Sequence, residues 1–284
     1  MYERVVAGTD LSQTSLVAVE RASWLAQKLG AELILVHAGS DPGAPLEELA
    51  AKHGATPLVK SGNPTDVLIA EARRDSDLLV VGSVGMSGAR RFLLGNVPNK
   101  VSHHAPTDLL IVKTDGKGVA GGEYRSVLVG TDGSETATLA VQVTARLAAK
   151  LGITPVIVCS YEPIPDEELD RVRQRDDVLT QWGSSREIRQ VPDEFAWQIA
   201  SANQATDVLD RASEVAAREG VQAETRAVEG APAEALLSVA ESSGVDLIAV
   251  GSVGMSGARR FMLGNVPNRI SHHSPTDLLI VRTR

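Results

Sequence analysis

A single cysteine, Cys159, leaves the chain without an internal disulfide and fits a reducing compartment. No apolar run approaches the roughly 18 residues that a membrane span requires, so none is expected. Basic residues are in deficit, with 28 Lys and Arg against 36 Asp and Glu and a formal net charge of −8. That balance excludes nonspecific binding to nucleic acid or to an anionic membrane, while a small anion in a local basic pocket stays compatible. Met1-Tyr2-Glu3-Arg4-Val5 enters an apolar strand directly, so no signal peptide and a cytoplasmic location are expected. The hydrolase turn Gly-x-Ser-x-Gly and the Walker lysine are missing, which removes the parts of a dedicated ATPase. Cysteines and carboxylates at zinc spacing are missing too. The pairs His103-His104 and His272-His273 therefore do not read as a metal site, since adjacent helical residues point about 100° apart.

What is present is a segment that occurs twice, at 81–114 and 250–283, with only conservative differences such as Lys100 against Arg269 and Val101 against Ile270. The chain is a tandem duplication. Each half opens with a short apolar run that stops at Thr9-Asp10 or Thr131-Asp132. Ser12 and Ser134 follow as N-caps of amphipathic helices that end at Gly30 and Gly152. A second buried strand comes next, and then Gly-x-Pro at 62–64 or 230–232 introduces another helix. An apolar strand at 78–81 or 247–250 runs into the repeated loop. Alternating strands and helices with near-continuous apolar strands predict a parallel sheet covered on both faces. We expect two doubly wound α/β domains, 1–114 and 124–284, joined by a glycine-rich linker at 115–123. The halves differ between the second and third strands. The first has a short connection with a weak helix at 46–52, and the second has a charged stretch at 161–204 that includes Trp182, Phe195 and Trp197. A helix pair with a small aromatic core is expected there, with a lid or partner surface as the alternative. Cys159 reads as core.

In the repeated loop, Gly82, Gly85 and Gly95 precede Asn96-Val97-Pro98, and Gly251, Gly254 and Gly264 precede Asn265-Val266-Pro267. Glycine lets backbone approach a ligand closely, and Asn96 or Asn265 is expected as the N-cap of the helix that follows. A helix N-terminus offers N–H groups and partial positive charge to an anion. Arg90, Arg91, Arg259 and Arg260 could close over phosphates. In an open doubly wound sheet ligands lie beyond the carboxyl ends of the strands where the order reverses, a point that Asp10 and Gly82, or Asp132 and Gly251, would share. An aspartate there can accept from ribose hydroxyls or help hold a metal ion on phosphates. It can equally satisfy turn amides.

The pattern Gly-x2-Gly-x9-Gly-Asn, the Asp after the first strand, and Pro-Thr-Asp-Leu-Leu-Ile-Val closing each half resemble the universal stress protein family in its tandem form. The resemblance covers both halves apart from the linker and 161–204. It implies a flavodoxin-like sheet of order 3-2-1-4-5 in each half and an ATP site in each, possible Mg2+ included. Backbone near Ala38 and Ser160 would receive adenine. Thr9 with Asp10, and Thr131 with Asp132, would lie on the nucleoside side. Gly82, Gly85, Gly95, Asn96 and Val97, with Arg91, would hold phosphates in the first half. Gly251, Gly254, Gly264, Asn265 and Val266, with Arg260, would do so in the second. Asn96 and Asn265 stand where the ATP-binding branch has Ser or Thr. Pro98 and Pro267 remove an N–H each, so phosphate binding is expected to be weakened. The function implied is stress response through adenine-nucleotide binding as a regulator or sensor, in a homodimer of tandem chains, with a regulatory protein partner that the sequence does not name. A nucleotide-independent interaction module and a slow nucleotide hydrolase are the alternatives.

Overall fold

The computed structural model describes residues 1–84, 94–114, 123–161, 193–253 and 263–282, with the side chains of Asp75 and 193–201 excepted. In the first half the chain runs β1 (Arg4–Gly8), α1 (Gln13–Leu29), β2 (Glu32–Ala38), α2 (Ala44–His53), β3 (Thr56–Lys60), α3 (Pro64–Asp75), β4 (Leu78–Gly82), α4 (Asn96–His104) and β5 (Asp108–Val112). The second half repeats the order as β6 (Val127–Gly130), α5 (Glu135–Leu151), β7 (Pro155–Tyr161), α6 (Asp193–Arg218), β8 (Glu224–Glu229), α7 (Pro232–Ser243), β9 (Leu247–Gly251), α8 (Asn265–His273) and β10 (Asp277–Val281).

Local chemistry sets these boundaries. Ser12 and Ser134 accept from the N–H of Ser15 and Ala137, and Gly30 and Gly152 close the same helices at φ 68° and 69°. Pro64 and Pro232 occupy first helical positions, where a missing N–H costs nothing. Strand order is 3-2-1-4-5 in each half, parallel throughout, as the sequence implies.

The halves share one ten-stranded sheet, because β5 and β10 pair antiparallel with Leu110 opposite Leu279. Alternate residues of the central strands point to opposite faces. Val5, Ala7, Leu78 and Val80 pack with α1 and α2, and their neighbours Val6, Leu79 and Val81 pack on the face that carries Leu68 of α3 and Val101 of α4. Burial on both faces is why these strands lack polar alternation. The outer strands differ: β3 contains Pro57, and β8 carries Glu224, Arg226 and Glu229, both of which blunt an exposed edge.

Two aspartates seal the junction. Asp108 in β5 accepts from Arg282 N–H at 2.8 Å and Tyr2 hydroxyl at 2.8 Å. Asp277 in β10 accepts from Lys113 N–H at 2.8 Å and Tyr124 hydroxyl at 2.7 Å. Asp277 also meets Arg21 of α1 at 3.0 Å, with both side chains buried, and the Arg21 guanidinium lies 4.3 Å from the Tyr124 ring centroid. Trp24 packs edge-on against Tyr124 at 5.5 Å. The expected linker falls mostly on 115–122, and Trp182 on 162–192, outside the described residues. The backbone of 193–204 is helical, the start of α6.

Candidate functional site

The parallel strands of each half end together on one side of the sheet. With β1 between β2 and β4, the ends that carry Thr9-Asp10, Ala38 and Gly82 are brought side by side, and β6 between β7 and β9 does the same for Thr131-Asp132, Ser160 and Gly251. This is the strand-order reversal at which doubly wound sheets bind ligands.

In the second half these residues line a cavity of about 630 Å³. Thr131, Asp132, Ser160, Gly251, Gly264, Asn265 and Val266 all reach it. Its apolar lining comes from Val158, Pro232, Leu236 and Val250 together with Ala205 and Val208 of α6. The start of α8 lines it too, through Gly264, Asn265 and Val266. That volume suits a small organic ligand with one flat apolar part and one anionic part.

Backbone bonds fix the phosphate-side geometry. Ser252 N–H donates to Val281 O at 2.9 Å, and Gly264 N–H donates to Ser252 O at 2.8 Å, which folds the loop's exit back onto β9. The helix ladder starts with Asn268 N–H to Gly264 O at 3.0 Å, so the N–H groups of Asn265 and Val266 precede it. The first half repeats this with Gly95 N–H to Ser83 O at 2.9 Å and Asn99 N–H to Gly95 O at 3.0 Å. The expected N-caps are corrected here. Gly95 and Gly264 occupy the cap positions without a side-chain bond, and Asn96 and Asn265 are the first helical residues. The reason is the bond that ties each glycine's N–H to the carbonyl of Ser83 or Ser252, just after the preceding strand, which places the extended residue one position earlier. Their φ values, −62° and −65°, are open to any residue. Space is what restricts Gly264, because a Cβ there would lie 3.3 Å from Val253 Cα. Pro98 and Pro267 are third in their helices and buried, so each removes one of the N–H groups that precede the ladder.

Asp132 lines the cavity and also closes its own turn, accepting from Ser134 N–H at 2.9 Å. Asp10 accepts from Ser12 N–H at 3.1 Å in the same way. The residue between them separates the halves. Gly133 adopts φ 77°, and Leu11 is held at φ 62°, where a side chain is strained. A Cβ on Gly133 would lie 3.2 Å from Val208 Cγ2, so α6 occupies the space that Leu11 fills in the first half. Helix α6 spans 26 residues where α2 has 10, and the extra turns carry Gln204, Ala205 and Val208 over the cavity. Sequence reasoning missed this wall. The exchange of Leu11 for Gly133, together with the apolar spacing Ala205, Val208, Leu209 and Ala212, was the signal for it.

Cys159 is 4% exposed, as expected of a core residue, but its side of β7 also lines the cavity. Burial pushes its thiol pKa up, and the Asp132 carboxylate adds to the effect. A reactive thiolate is disfavoured there. Gly85, Arg91, Gly254 and Arg260, with Arg90 and Arg259, lie outside the described residues. Among the described residues no group of three or more His, Cys, Asp or Glu could hold a metal ion, and no helix is long and apolar enough to cross a membrane.

Comparison with known proteins bears on this geometry. The sequence model described as the universal stress protein family matches residues 1–61, 47–113 and 123–282. Universal stress protein YxiE of Bacillus subtilis is 32% identical over 161 residues, 56% of this chain and 99% of its own. Universal stress protein Rv1636 of Mycobacterium tuberculosis is also 32% identical over 161 residues, 56% of this chain and 97% of its own. Among solved structures, a universal stress protein from Archaeoglobus fulgidus superposes with a TM-score of 0.64 at 20% identity, covering 99% of this chain and 98% of its own. That likeness shows a shared fold.

Proposed function

The chain belongs to the universal stress protein family, and from that premise we propose that it binds an adenine nucleotide as a regulator or sensor, chiefly in the cavity of its second half. One observation carries the reading. A single cavity of about 630 Å³ joins an apolar slot to Asp132 and to the start of α8. Adenine fits between the α6 wall at Ala205 and Val208 and the opposite wall at Leu236 and Val250. Its edge meets the backbone near Ser160, ribose lies beside Thr131 and Asp132, and phosphates face the N–H groups of Asn265 and Val266. The equivalent first-half residues Thr9, Asp10, Ala38, Gly82, Gly95, Asn96 and Val97 form a second potential site with Leu11 in place of the helical wall. ATP is the proposed ligand, with Mg2+ carried on its phosphates. The chain's own residues bind and orient the ligand, and among the described residues none is placed as a general base, so hydrolysis is slow at most.

Nucleotide would act by stabilising one arrangement of the two halves for a partner to read. The halves serve as the two domains, 1–114 and 124–284, in a cytoplasmic protein. A homodimer of tandem chains would join helix faces, because β5 and β10 pair within the chain and both outer strands are blunted. Thermal melts test the reading. At ATP about a hundredfold above its dissociation constant, binding stabilises by about 2.7 kcal/mol, a rise of several degrees. No rise with millimolar ATP, ADP or AMP would favour the interaction module instead.

A further inference from the structure

The junction between the halves holds a cluster of basic groups that the nucleotide reading leaves unused. Lys113, just after β5, donates from Nζ to Ser271 O in α8 at 3.2 Å. Arg282, just after β10, donates from its guanidinium to Ser102 O in α4. Each half thus places a buried cation on the last turn of the other half's final helix, where unpaired carbonyls favour positive charge. The next residue on each helix is a histidine, His103 or His272. His272 Nδ1 is buried and has no hydrogen-bond partner among the described residues.

We propose that this junction is an acid-sensitive latch, in which protonation of His103 and His272 loosens the pairing of β5 with β10. Lys113 and Arg282 sit on the carbonyls of the serines that precede these histidines, so neutral imidazoles add no charge there and imidazolium ions bring like charge to a site that already holds two cations. The surrounding charges are laid out as follows. The His103 ring centroid lies 6.3 Å from that of His104 and the ring feels the charge of Arg282 from the other half, and His272 feels the charges of His273, Lys113 and His103. The carboxylates Asp108 and Asp277 are engaged by Arg282 and Lys113 N–H and by the two tyrosines. Helix α3, packed on α4, brings Asp66, Glu71, Arg73 and Arg74, and α7, packed on α8, brings Glu234 and Glu241, with Glu234 paired to Arg269.

Burial, followed by the adjacent histidine and by the Arg282 or Lys113 cation, lowers both histidine pKa values from the ordinary 6.5. The opened form then binds more protons than the closed one, so the latch is complete above 6.5 and weakens as pH falls toward the lowered values.

The test is hydrogen exchange of the β5 and β10 amides, corrected for intrinsic rates, at about pH 7.5 and about pH 5.5. In the parent we expect protection of these amides to fall about tenfold at the lower pH. His103→Gln with His272→Gln should abolish that dependence, and each single variant should remove part of it. His104→Gln with His273→Gln should leave it in place. A second readout is Trp24, which packs on Tyr124 at the junction and can be isolated with Trp182→Phe and Trp197→Phe. Its emission should shift with the same pH profile. Unchanged β5 and β10 protection in the parent, or a double His103 and His272 variant that tracks the parent, would overturn the proposal. Nucleotide enters none of these measurements, so the outcome is independent of the function proposed above.

Discussion

Replacing Arg21 by Met removes the charged partner of a buried carboxylate. Arg21 and Asp277 are 2% and 1% exposed and meet at 3.0 Å. The substitution leaves Asp277 with the Tyr124 hydroxyl and the Lys113 N–H, and it forfeits the contact of the guanidinium with the Tyr124 ring. Breaking one side of a buried pair costs about 3 to 5 kcal/mol, and the two remaining donors place the loss near the lower figure. If the ten-stranded sheet unfolds as a unit, a loss of about 3 kcal/mol lowers the melting temperature by on the order of 5 °C. The deficit should depend on pH. Burial pushes the Asp277 carboxyl above its ordinary 3.8, and Arg21 pulls it back. A raised native pKa means that stability is present below the unfolded value and is lost as pH rises through the native one. Without Arg21 the native pKa rises further, so the deficit is largest at neutral pH and shrinks in acid. Urea melts of the parent, Arg21→Met, Asp277→Asn and the double variant, at neutral and acidic pH, give both the loss and the coupling between the two residues. A deficit below about 1 kcal/mol at neutral pH, or one that does not change with pH, would refute the reasoning.

Gly133→Ala should destabilise by about 1 to 2 kcal/mol in urea melts, since a side chain at φ 77° is strained and its Cβ would crowd Val208 at 3.2 Å. Leu11→Gly should change stability by less than about 1 kcal/mol, because relief of strain at φ 62° offsets lost packing. Pro267→Ser restores an N–H in the first turn of α8 and should tighten ATP by up to about 1.5 to 3 kcal/mol, with a smaller gain for AMP; equal ATP affinity in calorimetry would show the proline to be silent.

The strand order was legible because strand and helix signals alternate cleanly, and duplication showed them twice. Ser12, Gly30, Pro64 and their counterparts marked helix ends through chemistry that acts within a few residues. What the sequence hid depends on contacts between distant segments. Asn265 has the composition of an N-cap, but the bond from Gly264 N–H to Ser252 O moves the cap back one residue. The wall over the second cavity comes from α6, whose position follows from packing on β7 and β8 rather than from any motif. Pro-Thr-Asp-Leu-Leu-Ile-Val was visible as a repeated segment. Its role at the junction depends on Asp108 and Asp277 each reaching across to the other half, which only the antiparallel pairing of β5 and β10 reveals.

Calorimetric titration of ATP into the parent, Asn265→Asp and Asn96→Asp tests the central claim most directly. Aspartate is nearly isosteric with asparagine and favourable in the first turn of a helix, so the variants should fold and melt at or above the parent temperature. In the proposed site the new carboxylate of Asn265→Asp faces the phosphates, and repulsion across a few ångströms is worth at least about 1.4 kcal/mol, a tenfold loss. The account predicts that the parent binds ATP, that Asn265→Asp binds it at least about tenfold more weakly while keeping its affinity for adenosine, and that Asn96→Asp leaves the second-half site intact. A parent that gives no binding heat at millimolar ATP, or an Asn265→Asp variant that binds ATP as tightly as the parent, would contradict it.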